Sequence, residues 1–297
     1  MKKTFPHLIL WVLIGLVLLS RSAFASHQVT PWRDNHPAAV SVTFDDGLLS
    51  QFTKAVPLLN TRNLKGTFFV TTSPNQEVTW AQWRQLAEQG HEIGSHSVNH
   101  RNLTQLSEAD MRYELSESQR TINQNVPSQS CVSFAYPDAV CNALVQRVTS
   151  EYYIAARAAW SDEGGELNYY EDVPPDWKRV NFYDVGSQSI PEANPSIADI
   201  DSNLSLAIHY HAWLDMHFHD ILNTTFFAAV LDDLLSKNVW VDTFGSIVRY
   251  MRERMSSTLT LLSEGSTEIK LDLTHSLDRS IYNQPLLSEA QYLIIGV

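Results

Sequence analysis

Cysteine is scarce. Cys131 and Cys141 are the only two in 297 residues, and without a C-x-x-C pair they argue against a zinc-thiolate centre. They are read either as a bridge, which an oxidising compartment favours and which would stiffen the loop around Phe134-Ala135-Tyr136-Pro137, or as two buried thiols. Long apolar runs are equally few. Leu8 to Leu19 follows Lys2 and Lys3, precedes Ala23-Phe24-Ala25, and falls short of the ~20 residues a spanning helix needs. That is the layout of a secretory signal over residues 1–25, with a retained N-terminal anchor as the alternative. The protein is accordingly expected to be periplasmic or secreted, with no stable membrane insertion after cleavage. Basic residues are outnumbered, 21 Lys and Arg against 33 Asp and Glu, for a net charge of −12. Losing Lys2, Lys3 and Arg21 with the signal deepens the acidity, which repels polyanions and argues against nucleic acid as a partner. There is no internal repeat and no low-complexity tract. What is present, 44% hydrophobic and 18% charged residues, suits an ordinary globular chain long enough for one large domain or two small ones.

Past the signal, short β-like runs alternate with helical ones, the rhythm of parallel strands joined by helices. Strands are expected at 38–44, 65–71, 91–95, 130–136 and 152–158. Helices fill the gaps. One follows Asp45-Asp46-Gly47 up to about Asn60; one is capped by Thr79-Trp80-Ala81-Gln82 and stopped by Gly90; one opens at Ser107 and Asp110 with Met111, Leu115 and Ile122 on one stripe. Residues 160–203, acidic and rich in Pro, Asn, Gly and aromatics, break the pattern and read as a functional or covering loop. A strand at 204–211, a helix at 225–235, a strand at 239–243 and a helix from Phe244 to about Met255 follow. From residue 257 to 297, alternation at 258–262 and 268–273 suggests a small β appendage.

Asp45 and Asp46 end the first strand, where parallel α/β folds place their chemistry. His96 and His100 sit just past the third strand, at the same end of the sheet. Either pair alone is ordinary surface; together, Asp46, His96 and His100 make a two-His-one-carboxylate set for one divalent metal ion with a position open to water. The stretch 209–219 holds four of the 11 histidines, one of which could act as general acid. His217 and His219 read as a metal-sticky surface loop. Tyr169, Tyr170, Trp177, Phe182 and Tyr183 dot the irregular segment, and anchoring it to the core is a commoner use than stacking on sugars.

The motifs TFDDG at 43–47, HSVNH at 96–100 and FAYP at 134–137, in this order, resemble the polysaccharide deacetylase family, also called NodB-homology or carbohydrate esterase family 4. The likeness runs over residues 38–255. It implies an α/β fold, a distorted (β/α) barrel, and a metal-dependent hydrolase that removes acetyl groups from an N- or O-acetylated polysaccharide. By the resemblance, Asp45 is the catalytic base, Asp46, His96 and His100 hold the metal, Zn2+ being the best match, and a backbone amide within Tyr136, Pro137 and Asp138 steadies the oxyanion. The chain departs from the family in three places. Ala135 stands where many members carry the arginine that orients the base, and Arg157 at the end of the next strand is a candidate substitute. Asp138-Ala139 replaces an aromatic-Gly pair, while Asp176-Trp177 matches the fourth motif only weakly. For the fifth motif, His211 is favoured as catalytic acid with His209 as alternative. Two other readings stand beside the deacetylase: a non-catalytic polysaccharide-binding member, and a hydrolase of non-sugar amides.

Overall fold

The computed structural model describes residues 28–74, 76–159, 166–169, 180–264, 269–277 and 295–296; the expected signal, Tyr170 and Asp176-Trp177 lie outside the described residues. After a short β1 (Gln28–Val29), strand β2 (Ala39–Asp45) shows how the sequence builds the barrel, for all seven of its residues are buried. Strand alternation sends Val40, Val42 and Phe44 outward into the layer shared with the helices, and Ala39, Ser41, Thr43 and Asp45 inward. The outer face is apolar. The inner face turns polar toward its C-terminal end.

The chain then repeats strand and helix through α1 (Val56–Thr61), β3 (Thr67–Val70), α2 (Trp80–Glu88), β4 (Glu92–Ser95), α3 (Glu108–Asn125), β5 (Ser133–Ala135), α4 (Ala143–Thr149) and β6 (Ala155–Arg157). Short strands β7 (Leu167–Asn168) and β8 (Gln188–Ser189) lead into α5 (Ile197–His209), β9 (Trp213–Phe218), α6 (Thr224–Ser236), β10 (Trp240–Val241) and α7 (Phe244–Ser256). Strand order is β6-β5-β4-β3-β2-β9-β7, parallel except for β7 against β9, with β10 beside β2 and β8 beside β9. The result is a curled parallel sheet, a half-barrel wrapped by helices. No helix among the described residues is long and apolar enough to cross a membrane.

One element differs from the sequence reading. Residues 204–211 belong to α5 and the turn after it, because Ser196 caps that helix by accepting from the Asp199 amide, and Ile200, Leu204 and Ala207 are buried at helical spacing. A short apolar run carries too few residues to separate the two periods. The strand begins only at Trp213.

Helix α7 closes the N-terminal end of the barrel. Phe244, Ile247, Val248 and Met251 pack among the inward residues, with the Phe244 ring 5.6 Å from Phe69 and 5.0 Å from Trp213. Glu92 ties this end together: its carboxylate accepts from Gly245 N (2.7 Å), Thr67 Oγ1 (2.9 Å) and Ser133 Oγ (2.7 Å), placing negative charge at the start of α7. Beyond α7, β11 (Ser257–Glu264) and β12 (Ile269–His275) form an antiparallel ribbon, and β13 (Ile295–Gly296) pairs with β1. The two cysteines face different partners. Cys131 is buried facing the Ser133 carbonyl, whereas Cys141 lies 3.5 Å from Asp184 Oδ1, so the bridge is not formed.

Two stability predictions follow from the packing. A Cβ on Gly94 would sit 2.5 Å from Phe69 Cδ1 and 2.8 Å from Ser133 Oγ. Gly94→Ala should therefore cost about 1–3 kcal/mol in denaturant unfolding. His91 is buried as the neutral ring, with Nδ1 accepting from Gly66 N and Nε2 paired with Asn60 Oδ1, both at 3.1 Å. Burial, with Lys65 adding to it, pushes its pKa down to about 4. Between the ordinary value near 6.5 and that lower one, the unfolded chain binds a proton that the folded chain refuses, so stability falls as pH falls through this window, by up to about 3 kcal/mol. His91→Gln should flatten the loss between pH 6.5 and 4 in unfolding curves; an unchanged slope would remove His91 from the account.

Candidate active site at the barrel mouth

Asp46 leaves the end of β2 with φ of 73°, followed by Gly47 at 72°, and these two left-handed residues turn the Asp46 carboxylate back over the strand ends. A Cβ on Gly47 would approach Trp83 to 3.1 Å, so glycine meets both the space and the backbone there. His96 follows β4 directly, and left-handed Ser97 and His100 bend the HSVNH segment so that its two imidazoles come within 4.8 Å, ring centre to ring centre. The Asp46 Oδ1 atom lies 3.7 Å from His96 Nε2 and 3.5 Å from His100 Nε2, and one ligand atom from each residue falls within 4.8 Å of the others.

Local bonding suits a metal. The buried His96 places Nδ1 2.8 Å from the Ala135 carbonyl, which only accepts, so Nδ1 carries the hydrogen and Nε2 keeps its lone pair toward Asp46 and His100. Burial also holds the His96 pKa below its ordinary value, favouring the neutral ring that ligates. Glu114 secures the loop, its carboxylate accepting from the Val98 and Asn99 amides at 2.9 Å each.

Asp45 points inward beside this set. Burial alone would raise its pKa; the guanidinium of Arg157, aided by His96, His217 and His219, outweighs that and holds the carboxyl well below the usual range. Arg157 Nη2 reaches both Asp45 oxygens at 2.5 Å, and the arginine is 1% exposed. The candidate substitute named from the sequence is thus in contact with Asp45. Ala135 lies on β5, next to Arg157 on the neighbouring strand β6.

His211 and His209 are not brought here. His209 ends α5 with its ring against Tyr210, and His211, in the turn before β9, sets Nδ1 3.0 Å from Pro37 O ahead of β2. Both lie at the N-terminal end of the sheet, separated from Asp45 by the six residues of β9, about 20 Å at ~3.3 Å each. The histidines that do arrive are His217 and His219, which therefore are no surface loop. His217 is 3% exposed on the inner face of β9. His219, just past that strand and partly exposed, puts Nε2 3.9 Å from Asp45 Oδ2. Gln51, fully buried, donates from one Nε2 to the carbonyls of Asp45 (2.5 Å) and His219 (3.0 Å), fixing the two chain segments together. Period-two reading of WLDMHFH at 213–219 would have placed Asp215, His217 and His219 on one face; Gln51 and Ser187 carry no such signal.

The third motif ends in a tight turn at Pro137–Ala139. Asp138 and Ala139 both adopt φ of 58°, the left-handed backbone for which glycine is suited. The Tyr136 amide donates to Arg157 O and the Ala139 amide to Tyr136 O, each at 3.0 Å, and Pro137 has no N–H, which leaves the Asp138 amide as the turn's remaining donor. Tyr136 itself is buried, its hydroxyl donating to Tyr183 O. The described aromatics anchor loops: Tyr169 is buried, and Phe182 and Tyr183 lie under Arg252, with its guanidinium 4.1 Å and 5.7 Å from the ring centres.

The polysaccharide deacetylase family model matches residues 33–156. A gellan lyase of a Bacillus species is 25% identical over 281 residues, covering 87% of this chain and 11% of that protein. A peptidoglycan-N-acetylglucosamine deacetylase of Bacillus cereus is 34% identical over 88 residues, 29% of this chain and 32% of that protein. The chain thus spans about a tenth to a third of these two relatives' length. A solved Mycobacterium smegmatis protein described as a polysaccharide deacetylase shares the fold, with TM-score 0.57 at 18% identity over 76% of this chain and 93% of that one. With three motifs gathered at one end of such a half-barrel, the chain is similar over residues 33–156 to the polysaccharide deacetylase family.

Proposed function

We propose that this protein is an exported, metal-dependent hydrolase that removes acetyl groups from an N- or O-acetylated polysaccharide. The observation carrying this reading is the ionised Asp45, held by Arg157, set directly beside the Asp46, His96 and His100 cluster. A divalent ion at that cluster, Zn2+ by the match of imidazole and carboxylate donors, would supply Lewis acidity to the acetyl carbonyl and acidify a water. Asp45 accepts that water's proton. The Asp138 N–H donates to the oxyanion, a role the left-handed turn preserves without its glycine. His219 returns a proton to the leaving amine or alcohol, since it lies at the mouth near Asp45, whereas burial, with Arg157 adding to it, pushes the His217 pKa down to about 3 and keeps that ring in its neutral form at pH 7. A non-catalytic binding role would draw on Asp138-Ala139; left-handed backbone at both residues, with the Asp138 N–H available, supports the catalytic reading instead. The expected export signal favours a cell-wall or exopolysaccharide glycan over a non-sugar amide.

Acetate release across chitin oligomers, poly-N-acetylglucosamine, peptidoglycan and acetylated xylan, with and without chelator, tests the reading. Activity on at least one substrate, abolished by chelator and restored by metal, is expected; a wild type that binds metal yet releases no acetate from the panel refutes it. The double variant His96→Ala, His100→Ala should lose the metal by elemental analysis. Asp46→Asn should lower metal content and turnover together, because an amide is the poorer ligand. Asp45→Asn should keep its metal while turnover falls ~10²-fold or more, the scale of a lost general base. His219→Gln should lose about 10²-fold in kcat, and His211→Gln, at the other end of the barrel, should leave it unchanged; the reverse ranking would return the acid to His211.

A further inference from the structure

Asp215 sits at the centre of β9 with no solvent exposure, facing inward, yet Asp45 and the metal cluster do not touch it directly. Its surroundings are heavily polar for a core position. Ser41 Oγ donates to Oδ1, and the direction is forced, because the Trp213 indole N–H, which can only donate, already gives to Ser41 Oγ at 2.8 Å. Thr43 Oγ1 reaches Oδ2 at 3.1 Å and Ser187 Oγ reaches it at 2.6 Å. Arg157 Nε lies 3.8 Å away, and this buried nitrogen has no hydrogen-bond partner among the described residues. The guanidinium is therefore gripped at two edges, by bonds from Nη2 to Asp45 and by charge from Asp215 behind it.

Ser187 extends the arrangement to a histidine. Its oxygen is 2.6 Å from Asp215 Oδ2 and 2.8 Å from His217 Nδ1, and a serine has one hydroxyl hydrogen for the two contacts. A carboxylate only accepts, so that hydrogen goes to Asp215, and the serine oxygen must accept from Nδ1–H of His217. The ring is then held as one tautomer. Its Nε2 keeps a lone pair, in a pocket where Arg157, Asp45, His96 and His219 are the charged or titratable neighbours.

We propose that Asp215 is a positioning residue for the deacetylation: it braces Arg157 against Asp45 and, through Ser187, locks His217 as the Nδ1–H tautomer, so that Nε2 serves as a hydrogen-bond acceptor beside the reacting group. This rests on the deacetylase reading above. A single buried carboxylate thereby orients both the base and a second side chain of the site, and the substrate class that benefits is one carrying a hydrogen-bond donor, such as a sugar hydroxyl or the acetamido N–H. Burial pushes the Asp215 pKa up to about 6 against the pull of Arg157 and the hydroxyls of Ser187, Ser41 and Thr43, so the carboxylate that the relay needs is present at neutral pH.

The test uses wild type, Asp215→Asn and Ser187→Ala, each full-length and metal-loaded, with the His ring nitrogens labelled with 15N. Nitrogen shifts at pH 7.5 report the tautomer whether or not the protein turns over, and elemental analysis reports the metal. Wild-type His217 is expected as Nδ1–H, and both variants are expected to lose that single tautomer while retaining metal. On the best acetylated substrate, kcat should fall about 10- to 100-fold in Asp215→Asn and less in Ser187→Ala, which keeps the Arg157 contact, with KM changed under about threefold. If Asp215→Asn does not fold, Ser187→Ala still decides the relay. A wild-type His217 in the Nε2–H form, or variants with wild-type tautomer and kcat, would overturn the proposal. A wild type without acetate release would instead overturn the deacetylase reading and the brace's catalytic purpose, while the tautomer would still judge the brace itself.

Discussion

The guanidinium of Arg157, buried to 1% exposure inside the half-barrel, is the charge around which the site is organised. A cation taken so far from water is stable only if anions meet it with good geometry, and two carboxylates do so, Asp45 by hydrogen bonds and Asp215 by proximity. The face of Phe69, 5.4 Å away, completes the enclosure. The same pairing keeps Asp45 ionised although burial opposes it. Removing Arg157 would leave two buried carboxylates without their counter-charge, so the strands β2, β6 and β9 are coupled through chemistry as well as through the sheet.

The barrel separates its duties along the strand direction. At the N-terminal end the inward residues Ala39 and Trp213 are closed by α7, with Glu92 tying the start of that helix to β3 and β5, and this is where the structure is anchored. Toward the C-terminal end the same strands turn inward with Ser41, Thr43, Asp45, Asp215 and His217. Asp46, Ser97, His100, Asp138 and Ala139 adopt left-handed backbone at this end, where strand order gives way to loops. Each such residue is held by bonds of its neighbours, among them Glu114 to the Val98 and Asn99 amides and Ala139 N to Tyr136 O. Strained backbone at a site of this kind is retained when the surrounding contacts over-determine it.

Much of this was legible in the chain itself. Strand-helix alternation specified a parallel α/β sheet, because hydrophobic runs bounded by caps such as Thr79 with Gln82 leave few other options. The gathering of Asp46, His96 and His100 was readable too, since Asp46 and the histidine pair each follow a strand and parallel strands end on the same side. Arg157 could be nominated for the same reason. Such inferences need only the local periodicity and the rule that strand ends share a face.

What the tertiary structure alone decided is which distant side chains meet. His211 and His217 are six residues apart, and nothing local distinguishes them until the start of β9 is placed at Trp213; α5 ends two residues before His211, and that boundary sends one histidine to the far end and the other to the site. Ser187 comes from a stretch with almost no regular periodicity, and its bonds to Asp215 and His217 exist because β8 pairs beside β9. Gln51 joins the carbonyls of Asp45 and His219 across 168 positions of sequence. Short-range patterns determine which residues lie at the strand ends; only the curl of the sheet, which packs β6, β2 and β9 around one interior, determines that an arginine, two aspartates and two histidines share it.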